Sequence, residues 1–413
     1  MKVLWITNIK LPPLSERLGL KSEAIGGWMI SSLNQLKGQE EIEIAVATFD
    51  NRKGLYDEFI DGVRYFLIPT HGKNPQHYNP RLEREWQEVN HRFRPDVVHI
   101  HGTELGHGLA WVNANGSDNV CVSIQGLVSV CSRYYKTDSW LDYIPLTLRD
   151  LVKFDWISRQ RKNFTARGKN EIRLLQSVNH IIGRTEWDKA HAWAINPNAT
   201  YHYCGETLRD EFYRHKWKYE NCEPHTIFVS QGNYPLKGLH QLLKAMPLVL
   251  REYPDAKIYV GGYNIISTPW YRKTSYAVII KKLIKKYNLN GKVIFTGLLD
   301  EKQMCKQYLK SNIFVLPSAI ENSPNSLGEA QLLEVPYVAS YVGGVSEIVN
   351  NDLHSLYRYK EIEMLANKIC KIFSSCQSQC QASDANINIY DKLNNLSALI
   401  DIYKSIRDKI ADA

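Results

Sequence analysis

Short apolar, β-branched runs recur along the chain, separated by stretches long enough to form a helix. In the first half they predict strands at 3–7, 42–48, 63–69, 97–102, 120–125, 180–184 and 200–204. Apolar residues at helical spacing between them predict helices at 28–37, 80–93 and 185–194. The second half repeats the alternation, with strands at 227–230, 258–262, 293–297, 313–318 and 337–340. Strands that are apolar along their whole length, not at every second position, belong in parallel sheets covered by helices on both faces. Two such series predict an α/β chain of two doubly wound, Rossmann-like domains facing across a cleft.

The expected boundaries are 1–212 for an acceptor-side domain and 213–387 for a nucleotide-binding domain. The stretch 212–225 reads as a linker, because it is polar, lacks apolar periodicity and carries Pro224 near its end. Residues 388–413 read as a terminal helix packing back across domains, with Leu393, Leu396, Leu399, Ile400, Tyr403 and Ile406 at helical spacing. In open α/β sheets, ligands bind beyond the carboxyl ends of the strands. Function is therefore expected in the loops that follow strands.

Composition narrows the picture without redirecting it. A length of 413 residues suits two domains, and 44% hydrophobic with 23% charged residues is ordinary for a globular chain. No apolar stretch reaches the roughly 18 residues that a spanning helix requires. The opening Met-Lys-Val-Leu-Trp-Ile-Thr reads as a buried strand and not a signal peptide, so a cytoplasmic protein is expected. Eight cysteines without a CxxC pair fit reduced thiols. Cys370, Cys376 and Cys380 cluster, but no histidine accompanies them, and no metal site is expected. The net charge of +8 is spread along the chain without a long basic run, which sets nucleic acid aside.

The strongest chemical signal is Glu321-Asn322-Ser323-Pro324-Asn325-Ser326-Leu327-Gly328-Glu329-Ala330, which follows a strand and runs into a helix at about 326–334. Carboxylates on a loop and on the next helix can both face a ligand and accept paired hydroxyl hydrogen bonds, as sugars and ribose require. The helix start offers N–H groups to a phosphate. Lys237-Gly238, after the strand 227–230, places a cation and a close backbone approach at an equivalent strand end. Gly26-Gly27 opens a helix after the first strand loop, and Gly343-Gly344 with Glu347 follows the strand 337–340. Each feature alone also fits a solvated loop charge or a tight turn.

Together these residues resemble the GT-B-fold retaining glycosyltransferases of family 4. That family carries a Glu, seven residues, a Glu and an Ala, joined by a Lys-Gly pair and a Gly-Gly-x-x-Glu turn. The resemblance implies that Glu329 holds the donor ribose, and that Glu321 holds the transferred sugar together with backbone N–H groups from Asn322 and Ser323. Lys237 would neutralise the diphosphate, with Gly27 approaching it and Gly297 and Leu298 bordering the base. It implies a UDP- or GDP-sugar donor and a hexosyl or N-acetylhexosaminyl transfer with retention. It also implies an acceptor that is a glycan or lipid-linked, in bacterial surface polysaccharide or lipid-linked glycan synthesis, and neither cofactor nor metal.

Two positions depart from the family. The arginine five residues before the lysine is Gly232, so Ser230 and Asn233 would substitute with neutral hydrogen bonds, or a cation such as Arg184 would come from elsewhere. A histidine common at the end of the strand 120–125 is Gln125, leaving His101 and His99 as nearby imidazoles. The fold alone keeps open a nucleotide-sugar epimerase or phosphorylase, and the two departures keep open an inactive nucleotide-sugar-binding protein. The stretch 140–169 interleaves Trp140, Tyr143, Leu146, Leu148, Leu151, Phe154, Trp156 and Phe164 with Arg149, Lys153, Arg159, Arg161, Lys162, Arg167 and Lys169. It fits either a core helix pair with a solvated face or peripheral contact with an anionic membrane at its inner face.

Overall fold

The computed structural model describes residues 1–20, 26–72, 74, 77–135, 146–350, 354–375 and 387–411. Trp140, Tyr143, Cys376 and Cys380 lie outside the described residues. The chain divides into two compact units. The first comprises Met1–Ser132, Phe164–Thr207 and Asn388–Ala413, and the second Arg133–Asn163 and Leu208–Ile387.

The first unit is built on β1 (Lys2–Ile6), β2 (Glu43–Asp50), β3 (Tyr56–Ile60), β4 (Val63–Pro69), β5 (Val97–His101), β6 (Val120–Ser123), β7 (His180–Gly183) and β8 (Thr200–Tyr203). Their order is β3-β4-β2-β1-β5-β6-β7-β8, parallel throughout except for the β3–β4 pair. Every strand that the hydrophobic pattern predicts is present. β3 escapes that pattern because Tyr-Asp-Glu-Phe-Ile is a half-polar edge strand. It turns into β4 through Asp61-Gly62, at φ 49° and 85°, the left-handed pair that a two-residue hairpin demands.

The core of this unit includes a buried polar chain. Trp5 Nε1 donates to Tyr403 Oη at 2.9 Å, Tyr403 Oη meets His99 Nδ1 at 2.6 Å, and His99 Nε2 meets Ser123 Oγ at 2.6 Å. A neutral imidazole, accepting at one nitrogen and donating at the other, satisfies this chain. Tyr403 comes from the helix Lys392–Ala411, whose Leu399, Ile402 and Ile406 pack with Val3, Leu33 and Leu36. Leu393, expected on this buried stripe, is exposed near the helix start.

The second unit carries β9 (Glu223–Val229), β10 (Lys257–Gly261), β11 (Val293–Gly297), β12 (Ser311–Leu316), β13 (Tyr337–Ser340) and β14 (Leu356–Tyr357). The order is β11-β10-β9-β12-β13-β14, all parallel. β14 has two residues, too few to leave a hydrophobic signal. The expected linker is not a loose connection. Phe212 is buried edge-on to Tyr308, with ring centroids 5.8 Å apart. Trp217 donates from Nε1 to the Ser311 carbonyl at 2.8 Å and from its backbone to Leu333 at 2.7 Å. Two aromatic anchors in a polar segment hold it to the unit without any periodicity. No helix among the described residues is long and apolar enough to cross a membrane.

Candidate active site

β9 and β12 are neighbours in the second sheet, and the loops at their carboxyl ends meet where Ala319 N donates to the Leu236 carbonyl at 2.8 Å. After β9 the chain makes one 3₁₀ turn at Pro235–Lys237 and enters the helix Leu239–Glu252 through Gly238. Gly238 has φ 69°, and a Cβ there would stand 1.7 Å from the Pro317 carbonyl oxygen. Only glycine satisfies both the left-handed backbone and that approach. The approach sets Lys237 Nζ 2.6 Å from Glu321 Oε1, which also accepts from Ser318 Oγ at 2.7 Å.

Glu321 is fixed from its other side by the Gly343-Gly344 turn. Gly343 has φ 54°, and a Cβ would stand 1.7 Å from the Glu321 carbonyl oxygen, while Gly344 N donates to that oxygen at 3.3 Å. Ser340 Oγ donates to the Ser318 carbonyl at 2.6 Å. The glycine pair therefore braces the glutamate loop. Asn322 is buried and Ser323 half-buried between this loop and the helix Asn325–Leu332. That helix starts at Pro324 without a side-chain cap. Leu327 N and Gly328 N donate to the Pro324 carbonyl at 2.9 and 3.3 Å, and the Asn325 and Ser326 N–H groups that precede them form an anion-binding end.

Glu329, on the buried side of this helix, takes a partner that the motif does not contain. Arg209 reaches Glu329 Oε1 from Nε at 2.8 Å and from Nη2 at 2.6 Å. Burial pushes the Glu329 carboxyl up, and the Arg209 guanidinium opposes that shift. Tyr308 Oη lies beside Glu329 and Ser230, and its burial holds it protonated. Arg209 stands alone in a polar segment, and only the turn at Asp210–Tyr213 brings it to the helix, so no spacing signals it. The absent arginine at Gly232 has a steric reason here: a Cβ would lie 2.8 Å from Leu239 Cδ2 and 2.9 Å from Val260 Cγ1. Ser230 is placed beside Tyr308. Asn233 instead lines a pocket of about 260 Å³ with Asp150, Asp155, Gln160 and Thr274, which neither Lys237 nor Glu321 lines.

Gly262 N donates to the Gly297 carbonyl at 3.0 Å across the ends of β10 and β11, and both glycines have positive φ, 92° and 80°. A Cβ on either would point into open space, and Leu298 is exposed beside them. These strand ends present a flat, open surface on which a planar ring could lie. Among the described residues no group of three or more His, Cys, Asp or Glu side chains is placed to hold a metal ion.

The remaining expected residues form a second constellation within the first unit. A pocket of about 440 Å³ lies at the carboxyl ends of β5, β6 and β7, lined by Trp28, His101, Gln125, Arg184 and Glu206 among others. His101 stacks on His99 at 3.8 Å, and neither of its ring nitrogens has a hydrogen-bond partner among the described residues. Burial and the neighbouring His99 push its pKa well below the ordinary value, so it is a neutral imidazole. Arg184 donates to the Ile124 carbonyl at 3.2 Å and to Gln125 Oε1 at 3.4 Å. Its Nη1 lies 2.5 Å from Glu206 Oε2, an ion pair without hydrogen-bond alignment. Glu206 therefore balances the charge of Arg184 within this pocket. Gly26, at φ 85°, leads into the helix Gly27–Lys37, which places Gly27 at an uncapped helix start.

Two α/β units with parallel sheets and ligand-competent loops at their strand ends make the GT-B glycosyltransferase fold. The sucrose-phosphate synthase of Thermosynechococcus elongatus shares it with a TM-score of 0.69 over 100% of both chains, at 14% identity. HepE of Anabaena, solved in complex with UDP-glucose, gives a TM-score of 0.64 over 100% of both chains, also at 14% identity. Residues 210–387 match the family Glycosyl transferases group 1, and this segment is a domain of that kind. An uncharacterized glycosyltransferase of Methanocaldococcus jannaschii is 24% identical over 183 residues, 43% of this chain and 44% of that protein. The GDP-mannose-dependent monoacylated alpha-(1-6)-phosphatidylinositol monomannoside mannosyltransferase of Corynebacterium glutamicum is 26% identical over 145 residues, 33% of this chain and 35% of that protein. The chain spans less than half the length of these curated relatives.

Proposed function

We propose that this chain transfers a hexosyl or N-acetylhexosaminyl group from a UDP- or GDP-sugar to an acceptor hydroxyl, with retention and without a metal, as a family 4 enzyme. The observation that carries the reading is the pair of ion pairs at the strand ends of the second sheet, Lys237 with Glu321 and Arg209 with Glu329. Cleaving the bond from anomeric carbon to phosphate oxygen leaves negative charge on the diphosphate and positive charge on the sugar. Lys237 and the N–H groups at the start of the helix Asn325–Leu332 stabilise the first charge, and Glu321 faces the second. Glu329 accepts from the ribose hydroxyls, its orientation fixed by Arg209. The new bond joins the anomeric carbon to the acceptor oxygen, and the acceptor proton passes to the leaving diphosphate.

The pocket at His101, Gln125, Arg184 and Glu206 suits the acceptor, since neutral imidazole, amide and carboxylate groups can bind its hydroxyls without ionising them. The acceptor is a glycan or lipid-linked glycan of surface polysaccharide synthesis, and the protein works in the cytoplasm, peripherally at the inner membrane face. Incubation with UDP- and GDP-sugars and an acceptor extract should release nucleoside diphosphate, with the product's anomeric configuration read by NMR. Donor binding with no release beyond background would reduce the chain to a nucleotide-sugar-binding protein.

A further inference from the structure

The second unit carries a surface that the donor site does not use. Residues 256–299 contain eight Lys or Arg and no Asp or Glu. Four of these, Lys281, Lys282, Lys285 and Lys286, lie exposed on the helix Ser275–Lys286, opposite the buried Tyr276, Ile279, Ile280 and Ile284. Positions i, i+1, i+4 and i+5 share one helix face, so the lysines form a single basic stripe. Just before this helix the turn Trp270–Arg272 presents Trp270 at 73% exposure with Tyr271 and Arg272.

A second segment of the same unit packs against that turn. The helix Leu148–Lys153 contacts Trp270–Arg272 and exposes Leu148, Leu151, Val152 and, just past its end, Phe154 at 66%. Asp150 anchors it, accepting from the Ser275 backbone N at 3.1 Å and from the Ser275 hydroxyl at the start of the lysine-bearing helix. Asp150 and Asp155 are the only acids at 146–163; the first is buried, and the second pairs with Arg149 at 2.9 Å. Lys153, Arg159 and Lys162 stay exposed. Aliphatic, phenylalanine and tryptophan side chains thus stand together in water, beside cations whose neighbouring acids are neutralised or absent.

A contiguous apolar patch of this kind marks an interaction surface and is not incidental exposure. Tryptophan and tyrosine settle at the lipid headgroup level, aliphatic side chains enter the acyl boundary, and lysines are drawn to anionic lipid. Nucleic acid would use the cations but not Leu148, Leu151, Val152 and Phe154. We infer that the face formed by the helix Leu148–Lys153, the turn Trp270–Arg272 and the lysine stripe of Ser275–Lys286 docks the donor-binding unit on an anionic bilayer. The surface stands on its own geometry and charge; its use in bringing a glycosyltransferase to its acceptor rests on the function proposed above.

The test is co-sedimentation of the full chain with phosphatidylcholine vesicles, with and without phosphatidylglycerol. Binding should require phosphatidylglycerol and weaken as salt rises. The triple variant Leu151→Ser, Phe154→Ser, Trp270→Ser should bind at least about tenfold more weakly. Replacing Lys281, Lys282, Lys285 and Lys286 by Gln should cost about fivefold per lysine, the equivalent of about 1 kcal/mol each. Circular dichroism and nucleotide-sugar thermal stabilisation should match the parent in both variants. Failure to bind phosphatidylglycerol vesicles at low salt, equal binding to neutral vesicles, or unchanged binding by either folded variant overturns the inference. A protein that binds these vesicles but is stabilised by no nucleotide sugar keeps the docking face and loses the proposed activity.

Discussion

Gly343 lies so close to Glu321 that a Cβ on the glycine would stand 1.7 Å from the glutamate's carbonyl oxygen. The turn at the end of β13 is therefore a wall against which the Glu321 loop after β12 is set. Gly343→Ala adds a left-handed alanine, at about 1–2 kcal/mol, and forces the Glu321 backbone away. Since a shift of about 1 Å can cost 10²-fold in rate, nucleoside diphosphate release should fall far more than the melting temperature. Parent-like turnover in a folded Gly343→Ala protein would show that the brace has no catalytic consequence.

The proposed function assigns Lys237 to the leaving diphosphate and Glu329 to the ribose. Lys237→Ala and Glu329→Ala should each lower transfer at least about 100-fold, the usual effect of removing one group that stabilises transition-state charge. Steady-state release of nucleoside diphosphate measures this. Near-parent rates in both would remove the donor site from these strand ends.

Arg209 supplies a sharper test, because it acts through a buried partner. Arg209→Ala strands the Glu329 carboxylate, and breaking such a pair typically costs about 3–5 kcal/mol. Burial already raises the Glu329 pKa, and losing the guanidinium raises it further. The deficit should therefore be greatest at neutral pH and shrink as falling pH protonates Glu329. Adding Glu329→Gln to Arg209→Ala should restore the urea midpoint without restoring activity. A double variant as unstable as Arg209→Ala would show that the pair is not the source of the loss.

How much of this was legible follows from what each residue does. The buried stretches of β1, β2, β4 to β7, β9, β10, β12 and β13 are mostly apolar because both sheet faces are covered, and they read directly from the sequence; β11, a half-buried edge strand, reads from Val293-Ile294-Phe295 alone. β3 is half polar because it is an edge, yet Asp61-Gly62 carried a hairpin signal that the hydrophobic pattern does not weigh. Lys237, Glu321 and Glu329 stand out in the sequence because strand-end loops place them at fixed spacing. Arg209 and Glu206 do not, since each earns its role only by a contact across sequence, to Glu329 and to Arg184. His99 reads from its position as a packing or hydrogen-bonding imidazole more than a catalyst, and both its nitrogens are committed to Tyr403 and Ser123 in the core.

The charge supplied by Lys237 and the helix N–H groups leads to an expectation about ions. Transfer should persist after exhaustive treatment with EDTA, without added magnesium or manganese. Loss on chelation, restored by one divalent ion, would require a metal to carry part of the diphosphate charge.

The buried histidines of the first unit predict how its stability depends on pH. Burial pushes His99 down to about 3 and His107 down to about 4, burial and the neighbouring His202 push His180 down to about 4, and His101 lies well below its ordinary value. In the unfolded chain each takes up a proton near pH 6.5. Below that pH the unfolded state binds more protons, so these groups contribute stability above pH 6.5 that is lost as pH falls toward 4. Each adds a slope of about 1.4 kcal/mol per pH unit, or about 5.5 kcal/mol per pH unit for the four together. The urea midpoint should therefore drop steeply between pH 6.5 and pH 5, above the range where most carboxylates titrate. His107 has no hydrogen-bond partner for either nitrogen among the described residues and packs edge-on to Phe49 at 5.2 Å. His107→Leu should keep the fold at pH 7 and remove about a quarter of the slope. A midpoint flat between pH 7 and pH 5 would mean that these imidazoles titrate as they do in water.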